Sequence, residues 1–293
     1  MNRLIVASSC AMALACGAVL SAQQVILPSA PAKGFGTSIT GAYEGWYDNP
    51  DGTHVFLVGY YNRNINQDID VPIGPNNRIE PGGPDMGQPT HFLRGRQTGV
   101  FSIVVPKAFT KDQRLTWTLV VNGQTTQIPL KMNTDYNVSP FKDAAVGNTP
   151  PIVHLFTENA PAIQGPLAMV SNAVAKTAKI GAKFDLPVWT ADDAKYTSGT
   201  NAPLRNAPTP VSLSWAQYRG PAAVKLENAK PKLDVLKGGK VDEPFAGKAV
   251  SSAVFSEAGD YLLQLTANDY SGNGGGGEVC CWTTAFLKVT VTP

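Results

Sequence analysis

The stretch RLTWTLVVNGQTTQIPL, residues 114–130, decides the fold class of this chain. Between Leu115 and Val121 apolar side chains occupy every second position, which is the period of a half-buried β-strand. Asn122-Gly123 separates this run from a second alternating run, and both residues tolerate the positive φ that a two-residue hairpin turn requires. The stretch therefore predicts an antiparallel β-hairpin.

Further strands are predicted on the N-terminal side of the hairpin. They cover Ala42–Tyr47, His54–Asn62 and Val100–Val105. Both faces of His54–Asn62 are apolar, which predicts a central strand that is covered on each side. Together with the hairpin, these runs predict an antiparallel domain over residues 37–131.

A long segment, residues 65–99, interrupts this domain. Loops of that length are typically functional or disordered. Its prolines restrict the backbone, and four apolar side chains can anchor it: Ile73, Ile79, Met86 and Phe92. These features favour an ordered loop.

The C-terminal half repeats the β pattern. Its predicted strands are Phe184–Thr190, Val211–Tyr218, Ala249–Phe255, Tyr261–Asp269 and Cys281–Val291. Residues 132–169 are rich in proline and show little periodicity, which indicates a linker. The insertion Glu227–Lys248 mixes lysines with acids and is interpreted as a solvated loop rather than a basic patch. We therefore predict an all-β chain of two β-sandwich domains, 37–131 and 170–293, joined by a Pro-rich linker at 132–169.

Residues 254–269, VFSEAGDYLLQLTAND, resemble the end of a PKD-type, immunoglobulin-like domain. Ser214-Trp215 and Arg219-Gly220-Pro221 are similar to the tryptophan strand and the Gly-Pro turn of variants of that family, although the Trp-Asp-Phe-Gly-Asp-Gly run of typical members is absent. The resemblance implies an immunoglobulin-like sandwich over residues 170–293. It also implies a tyrosine-corner role for Tyr261, with its hydroxyl bonded to the backbone.

The N-terminus has the layout of a secretion signal. Arg3 precedes an apolar stretch from Leu4 to Leu20, and Ser21-Ala22 supplies small residues before a polar segment. We expect a signal peptide at 1–22 and a flexible leader at 23–36. A membrane anchor is the alternative, but the interrupted stretch is shorter than the roughly 20 residues that span a bilayer. The mature chain is then expected in the periplasm, outside the cell or on its surface, with no membrane span.

The charge balance argues against nucleic acid and anionic lipid as partners. Only Arg3 of the signal is charged, so its removal leaves 23 of the 24 Lys and Arg against 22 Asp and Glu. A chain so close to neutrality has no general field that would attract nucleic acid or anionic lipid.

The N-terminal half, with Glu44-Gly45-Trp46-Tyr47, is similar to exported bacterial proteins of unknown role, and that similarity implies no activity.

The sequence carries no recognisable catalytic, metal or cofactor motif. It lacks the nucleophile elbow Gly-x-Ser-x-Gly and the zinc motif His-Glu-x-x-His. The spacing Gly272-x-Gly274-x-x-Gly277 matches a dinucleotide fingerprint, but a strand follows it where that site requires a helix. Of the three histidines, His91 is the best general base, and it would need Glu80 or Asp85 to orient it.

The predicted function is therefore that of an exported, non-catalytic binding or structural protein, with carbohydrate or a surface protein as partner and an undetermined oligomeric state. The candidate binding residues are Arg63, Glu80, Asp85, His91, Arg94 and Arg96. The plainer interpretation is that these charges hold the long loop through internal salt bridges. Two alternatives stay open: a hydrolase-type enzyme around His91, and a subunit of a cell-surface assembly. The latter would show an exposed apolar patch or an open sheet edge.

Of the four cysteines, only Cys280 and Cys281 remain after removal of the signal. Strand periodicity places Cys281 on the core face and Cys280 outward. One interpretation is a buried small residue beside an exposed thiol. The other is a vicinal disulfide, which an oxidising compartment would permit.

Overall fold

The computed structural model describes residues 32–143, 147–166, 172–195, 209–238, 240, 243–270 and 280–293. The predicted signal peptide, the leader as far as residue 31 and the glycine run at 272–277 lie outside these residues. The end of the predicted leader is bound rather than free, because the Ile65 N–H donates to the Lys33 carbonyl at 2.8 Å. In the described part of the chain, no helix has the length and apolar character needed to cross a membrane.

The N-terminal half is a sandwich of two antiparallel three-stranded sheets with orders β1-β2-β6 and β4-β7-β8, beside the short β3–β5 pair. Its strands are β1 (Ile39–Asp48), β2 (His54–Asn62), β3 (Ile69–Asp70), β4 (Asn77–Glu80), β5 (His91–Phe92), β6 (Gly95–Val105), β7 (Leu115–Val121) and β8 (Gln124–Leu130). As its two apolar faces predict, β2 is central. A 3-10 helix, Thr134–Tyr136, follows β8.

The hairpin that predicted the fold class is present. Val121 pairs with Gln124, and the turn residues Asn122 and Gly123 have φ of 50° and 75°. The inward row of β7 packs into the core between the two sheets, where Trp117 and Leu119 are completely buried. The hairpin that the alternation predicted therefore forms part of the N-terminal sandwich, with its apolar row in the core.

The C-terminal half is a second sandwich. Its strands are β9 (Ile152–Leu155), β10 (Ile163–Gln164), β11 (Val174–Lys179), β12 (Phe184–Asp192), β13 (Val211–Arg219), β14 (Val224–Glu227), β15 (Asp234–Lys237), β16 (Phe245–Phe255), β17 (Gly259–Asp269) and β18 (Trp282–Thr292). One sheet has the order β10-β9-β12-β16-β14, with β15 also on β16, and the other has β11-β18-β17-β13. Tyr261 donates its hydroxyl to the Glu257 carbonyl at 3.1 Å, as the tyrosine-corner resemblance implies.

The segment predicted as a linker differs from that expectation. Within it, β9 pairs with β12 and β10 pairs with β9, so both strands belong to the C-terminal sandwich. Val153 and Leu155 are buried in its core. The alternation spans only four residues between prolines, too few to stand out from loop sequence.

The two sandwiches meet on the outward face of the β11-β18-β17-β13 sheet, and the chain from Ala32 onward forms one compact unit. Tyr218, Leu262 and Phe286 from this sheet belong to the same apolar cluster as the core of the N-terminal half. Gln264 donates to the Val100 carbonyl at 2.6 Å, and Trp282 packs with Tyr47 and Leu57. The N-terminal half thus covers only part of one sheet face.

Candidate functional site

The segment 65–99, expected as an ordered loop, contains β3, β4, β5 and the start of β6. Its residues around Asp85 contact the C-terminal sandwich. Arg219 on β13 forms a bidentate ion pair with Asp85, with nitrogen–oxygen distances of 2.9 and 2.8 Å. It also donates through Nε to the Gln88 carbonyl at 3.0 Å. The hydrogen bonds from Arg219 lower the pKa of Asp85. Asp85 therefore adds an ion pair to the contact between the two sandwiches.

His91 and Arg94 lie at the base of the loop and are paired locally. His91 Nδ1 is 2.8 Å from Asp70, its neighbour across the β3–β5 pair. Arg94 binds Asp68 through its side chain and its backbone N–H. The carboxylates that sequence reasoning offered to His91 lie elsewhere, because Asp85 is bound to Arg219 and Glu80 pairs with Arg78 at 2.9 Å.

The two remaining arginines of the predicted set, Arg63 and Arg96, lie in different surroundings. Arg63 is 6% exposed and lies over the Tyr61 ring at 5.3 Å. Arg96 is bonded to Glu44, which also accepts the Gly99 N–H at 2.6 Å. Burial raises the pKa of Glu44, although Arg96 opposes the shift. Five of the six predicted residues, Glu80, Asp85, His91, Arg94 and Arg96, are thus engaged with an oppositely charged or carboxylate partner, which is the internal pairing weighed from the sequence.

Arg96 nevertheless reaches a groove of about 690 Å³ between the sandwiches. The floor is the end of the β13–β17 face beyond the contact with the N-terminal half, where Ser212 lies opposite Asn268 and Ser214 opposite Thr266. Residues directly opposite on paired strands project to the same side of the sheet, so these polar groups form two adjacent rows. The next pair along the strands includes Gln264, whose bond to the N-terminal half closes that end of the groove.

Two lysines stand on the opposite wall, in the segment 230–233. Pro231 and Leu233 are buried and alternate with the exposed Lys230 and Lys232, and all four residues line the groove. The two buried side chains anchor the segment, and the lysine side chains stay accessible to a ligand. Neither lysine has an acidic partner within 4.0 Å among the residues that the structure describes. With Arg96, the described lining carries three cations and no carboxylate. The interpretation of this insertion as only a solvated loop was incomplete.

A buried acidic pair lies at the end of the C-terminal sandwich, and sequence reasoning missed it. Asp192 ends β12 and is 9% exposed, and one of its oxygens has no hydrogen-bond partner among the residues that the structure describes. Asp269 ends β17, is 5% exposed and accepts a bond from Asn148 at 2.6 Å. Burial, followed by the charge of Asp269, raises the pKa of Asp192 to about 7. Within the described ranges, no group of three or more His, Cys, Asp or Glu is arranged to hold a metal ion.

Cys280 and Cys281 both lie inside the protein, with exposures of 5% and 0%. The outward orientation expected for Cys280 was wrong, because β18 begins only at Trp282 and strand periodicity does not extend to the cysteines. Their sulfur atoms are placed as a vicinal disulfide, and Cys281 Sγ lies 3.5 Å from the Asn148 carbonyl. Oxidation of the pair in the mature protein stays a prediction.

Comparisons with known proteins supply no family. No protein-family profile matches the chain, and no curated protein matches it in sequence. Among solved structures, it is aligned with the crystal structure of the S-layer protein SbsC domains 4 and 5 over 88% of this chain and 98% of that chain. The identity is 10% and the TM-score 0.23. At that TM-score the similarity supports no conclusion about fold or function.

Proposed function

We propose that this chain is an exported, non-catalytic binding protein that holds an acidic polysaccharide in the groove between its sandwiches. The observation that carries the proposal is the combination of a polar floor with two wall lysines, Lys230 and Lys232, that have no acidic partner among the described residues. The signal-like N-terminus supports a location where such polymers occur. Carbohydrate was one of the two partner classes expected from the sequence, and the groove favours it.

The floor supplies groups that suit sugar hydroxyls. Ser212, Ser214 and Thr266 each offer a hydroxyl that can donate and accept, and Asn268 adds an amide. Side chains directly opposite across the two strands are about 5 Å apart, and those two positions along a strand about 7 Å apart. A row of hydroxyls at these intervals can follow a polymer of hydroxylated units.

The lysines of the wall give the groove its preference for an acidic polysaccharide over a neutral one. Lys230 and Lys232 can form charge-assisted hydrogen bonds with sugar carboxylates, which are stronger than bonds between neutral groups. Arg96 contributes less, because Glu44 already neutralises it. The described lining includes no aromatic side chain, so ring stacking supplies nothing and charge sets the affinity.

The test is a titration of the mature protein with polygalacturonate and with neutral dextran. Binding of polygalacturonate alone is expected, and its affinity should fall with added salt. The double variant K230A/K232A should bind about tenfold more weakly, equivalent to about 1.4 kcal/mol. T266V removes a floor hydroxyl at nearly constant shape and should weaken binding at every salt concentration.

The matched control is K107A/K111A, which removes the same charge from the loop at the opposite end of β6. It should bind polygalacturonate as the unmodified protein does. If the two double variants lose affinity for polygalacturonate equally, the interaction depends on net charge alone, and the groove is refuted as the binding site. Equal binding of dextran would refute the acidic ligand.

A further inference from the structure

A second groove, of about 570 Å³, lies on the outward face of the β10-β9-β12-β16-β14 sheet. A volume of this size is typical of small-molecule sites. The register of the sheet places His154, Trp189 and Lys248 directly opposite one another on β9, β12 and β16. Residues that lie directly opposite project to the same side of a sheet. The three side chains therefore form one row across the outward face.

Two small side chains lie beside this row. Ala191 on β12 is opposite Ala246 on β16, one step of about 7 Å along the strands from Trp189 and Lys248. Both alanines are partly exposed and line the second groove. The long side chains of the row thus give way to two methyl groups, which leaves a shallow apolar recess beside Trp189.

Trp189 lines the second groove and brings a hydrogen-bond donor to it. Lys248 Nζ lies 4.6 Å from the centroid of the indole ring and covers one of its faces. Among the described residues, the indole Nε1 has no hydrogen-bond partner, and it does not belong to their buried atoms without one, so it is accessible to solvent. An indole N–H can only donate. A ligand bound here must therefore present an acceptor next to an apolar group.

His154 supplies the complementary acceptor. Its Nδ1 lies 2.7 Å from the Ala160 carbonyl, and a carbonyl can only accept, so Nδ1 carries the proton. Nε2 of the neutral ring is then an acceptor. Within the described ranges Nε2 has no hydrogen-bond partner, and His154 lines the same groove as Trp189. One donor and one acceptor thus stand on neighbouring strands beside the alanine recess.

The charge of the lining favours a neutral ligand. The described lining includes the carboxylate of Glu158 and no lysine or arginine. Glu158 forms no ion pair with any residue that the structure describes. It would repel an anionic ligand, whereas the hydroxyls of a neutral sugar can donate charge-assisted hydrogen bonds to it. The groove between the sandwiches has the opposite character, because its described lining carries cations and no carboxylate.

We propose that the second groove binds an N-acetylhexosamine unit of a neutral glycan. The acetamido group of this sugar combines an acceptor, a donor and a methyl group. Its carbonyl can accept from Trp189 Nε1, its N–H can donate to His154 Nε2, and its methyl group fits the alanine recess. A sugar hydroxyl can bond to either nitrogen but has no apolar group for the recess. The inference does not rest on the groove between the sandwiches or on its acidic ligand.

The experiment is a calorimetric titration of the mature protein with the acetylated chitin tetrasaccharide and with cellotetraose. The two sugars share one backbone linkage and differ only in carrying an acetamido group or a hydroxyl at the same ring position. The chitin tetrasaccharide should bind about tenfold more tightly, because it alone fills the recess. W189F removes the indole N–H, keeps an aromatic ring and should reduce this preference. A246V fills the recess and should weaken binding of the chitin tetrasaccharide about tenfold.

The matched control is A175V, which makes the same change at an exposed position of β11 in the other sheet. It should bind the chitin tetrasaccharide as the unmodified protein does, and so should K230A/K232A, which changes the groove between the sandwiches. Unchanged thermal unfolding would verify that A246V folds. Equal affinities for the two tetrasaccharides overturn the inference, as do a lack of binding to the chitin tetrasaccharide and equal losses in A246V and A175V. Weaker binding by K230A/K232A would assign the sugar to the groove between the sandwiches and would also overturn it.

Discussion

Replacing Asp192 by Asn tests the buried acidic pair at the end of the C-terminal sandwich. Asp192 is 9% exposed and faces the charge of Asp269 in addition to its own loss of hydration. Lys195, three residues further along the chain, is engaged with Asp193 at 3.7 Å. The Asn variant replaces the carboxylate with a neutral group of the same shape.

The pKa of Asp192 sets the direction and the size of the effect. It rises from 3.8 to about 7 on folding, so the folded protein holds this proton more tightly than the unfolded chain does. The associated stability is fully present below pH 3.8 and is lost as the pH rises through 7. A difference of about three pKa units corresponds to about 4 kcal/mol in the free energy of unfolding. The Asn variant does not titrate, so its advantage over the unmodified protein should grow by that amount between pH 4 and pH 8.

Urea denaturation at a series of pH values measures this difference. D185N is the matched control, because Asp185 lies on the same strand with an exposed side chain. Its stability difference should stay nearly constant with pH. If the difference for D192N is also flat between pH 4 and pH 8, or if D192N is the less stable protein at pH 8, the reasoning about the buried pair is refuted.

Two further substitutions test the contact between the sandwiches. Gly99→Ala would place a Cβ 2.4 Å from the Trp282 ring at a φ of +57°, and we expect thermal denaturation to show a loss of about 2–3 kcal/mol. Gly123→Ala has a similar φ with nothing within 4 Å, so it should lose only about 1 kcal/mol; equal losses would argue against the clash. Arg219→Ala should cost about 2 kcal/mol and expose the long loop to limited proteolysis, because the loop loses its bidentate ion pair. Arg78→Ala, which breaks an exposed ion pair, should leave the loop protected, and equal cleavage of both variants would contradict this role.

The sequence predicts the fold where alternation is long. The run from Leu115 to Val121 formed the expected hairpin, and β2, which is apolar on both faces, formed the expected central strand. Strands of two to four residues, such as β9 and β15, carry too few alternations to be distinguished from loops. Their pairing is decided by neighbours that are distant in the chain, which no local pattern reports.

The candidate site was predictable only in part, for the same reason. Arg96 was selected because it belongs to a long polar loop, but the groove exists because residues 164 positions apart, Val100 and Gln264, are bonded across the sandwiches. Lys230 and Lys232 were interpreted as solvated, since the sequence does not reveal that Pro231 and Leu233 anchor them beside a bare sheet face. Contacts between distant parts of the chain bring Arg96, Lys230 and Lys232 to the same groove, and the local sequence does not report those contacts.

The way the N-terminal half lies on the β13–β17 sheet also determines how a ligand would be received. Floor and wall belong to one continuous body, with Tyr218 and Phe286 inserted into the apolar cluster of the opposite half. We therefore expect no closure of the two sandwiches around a ligand. The ligand must fit the groove at the width that it already has. Scattering curves of the free and the occupied protein should therefore superimpose.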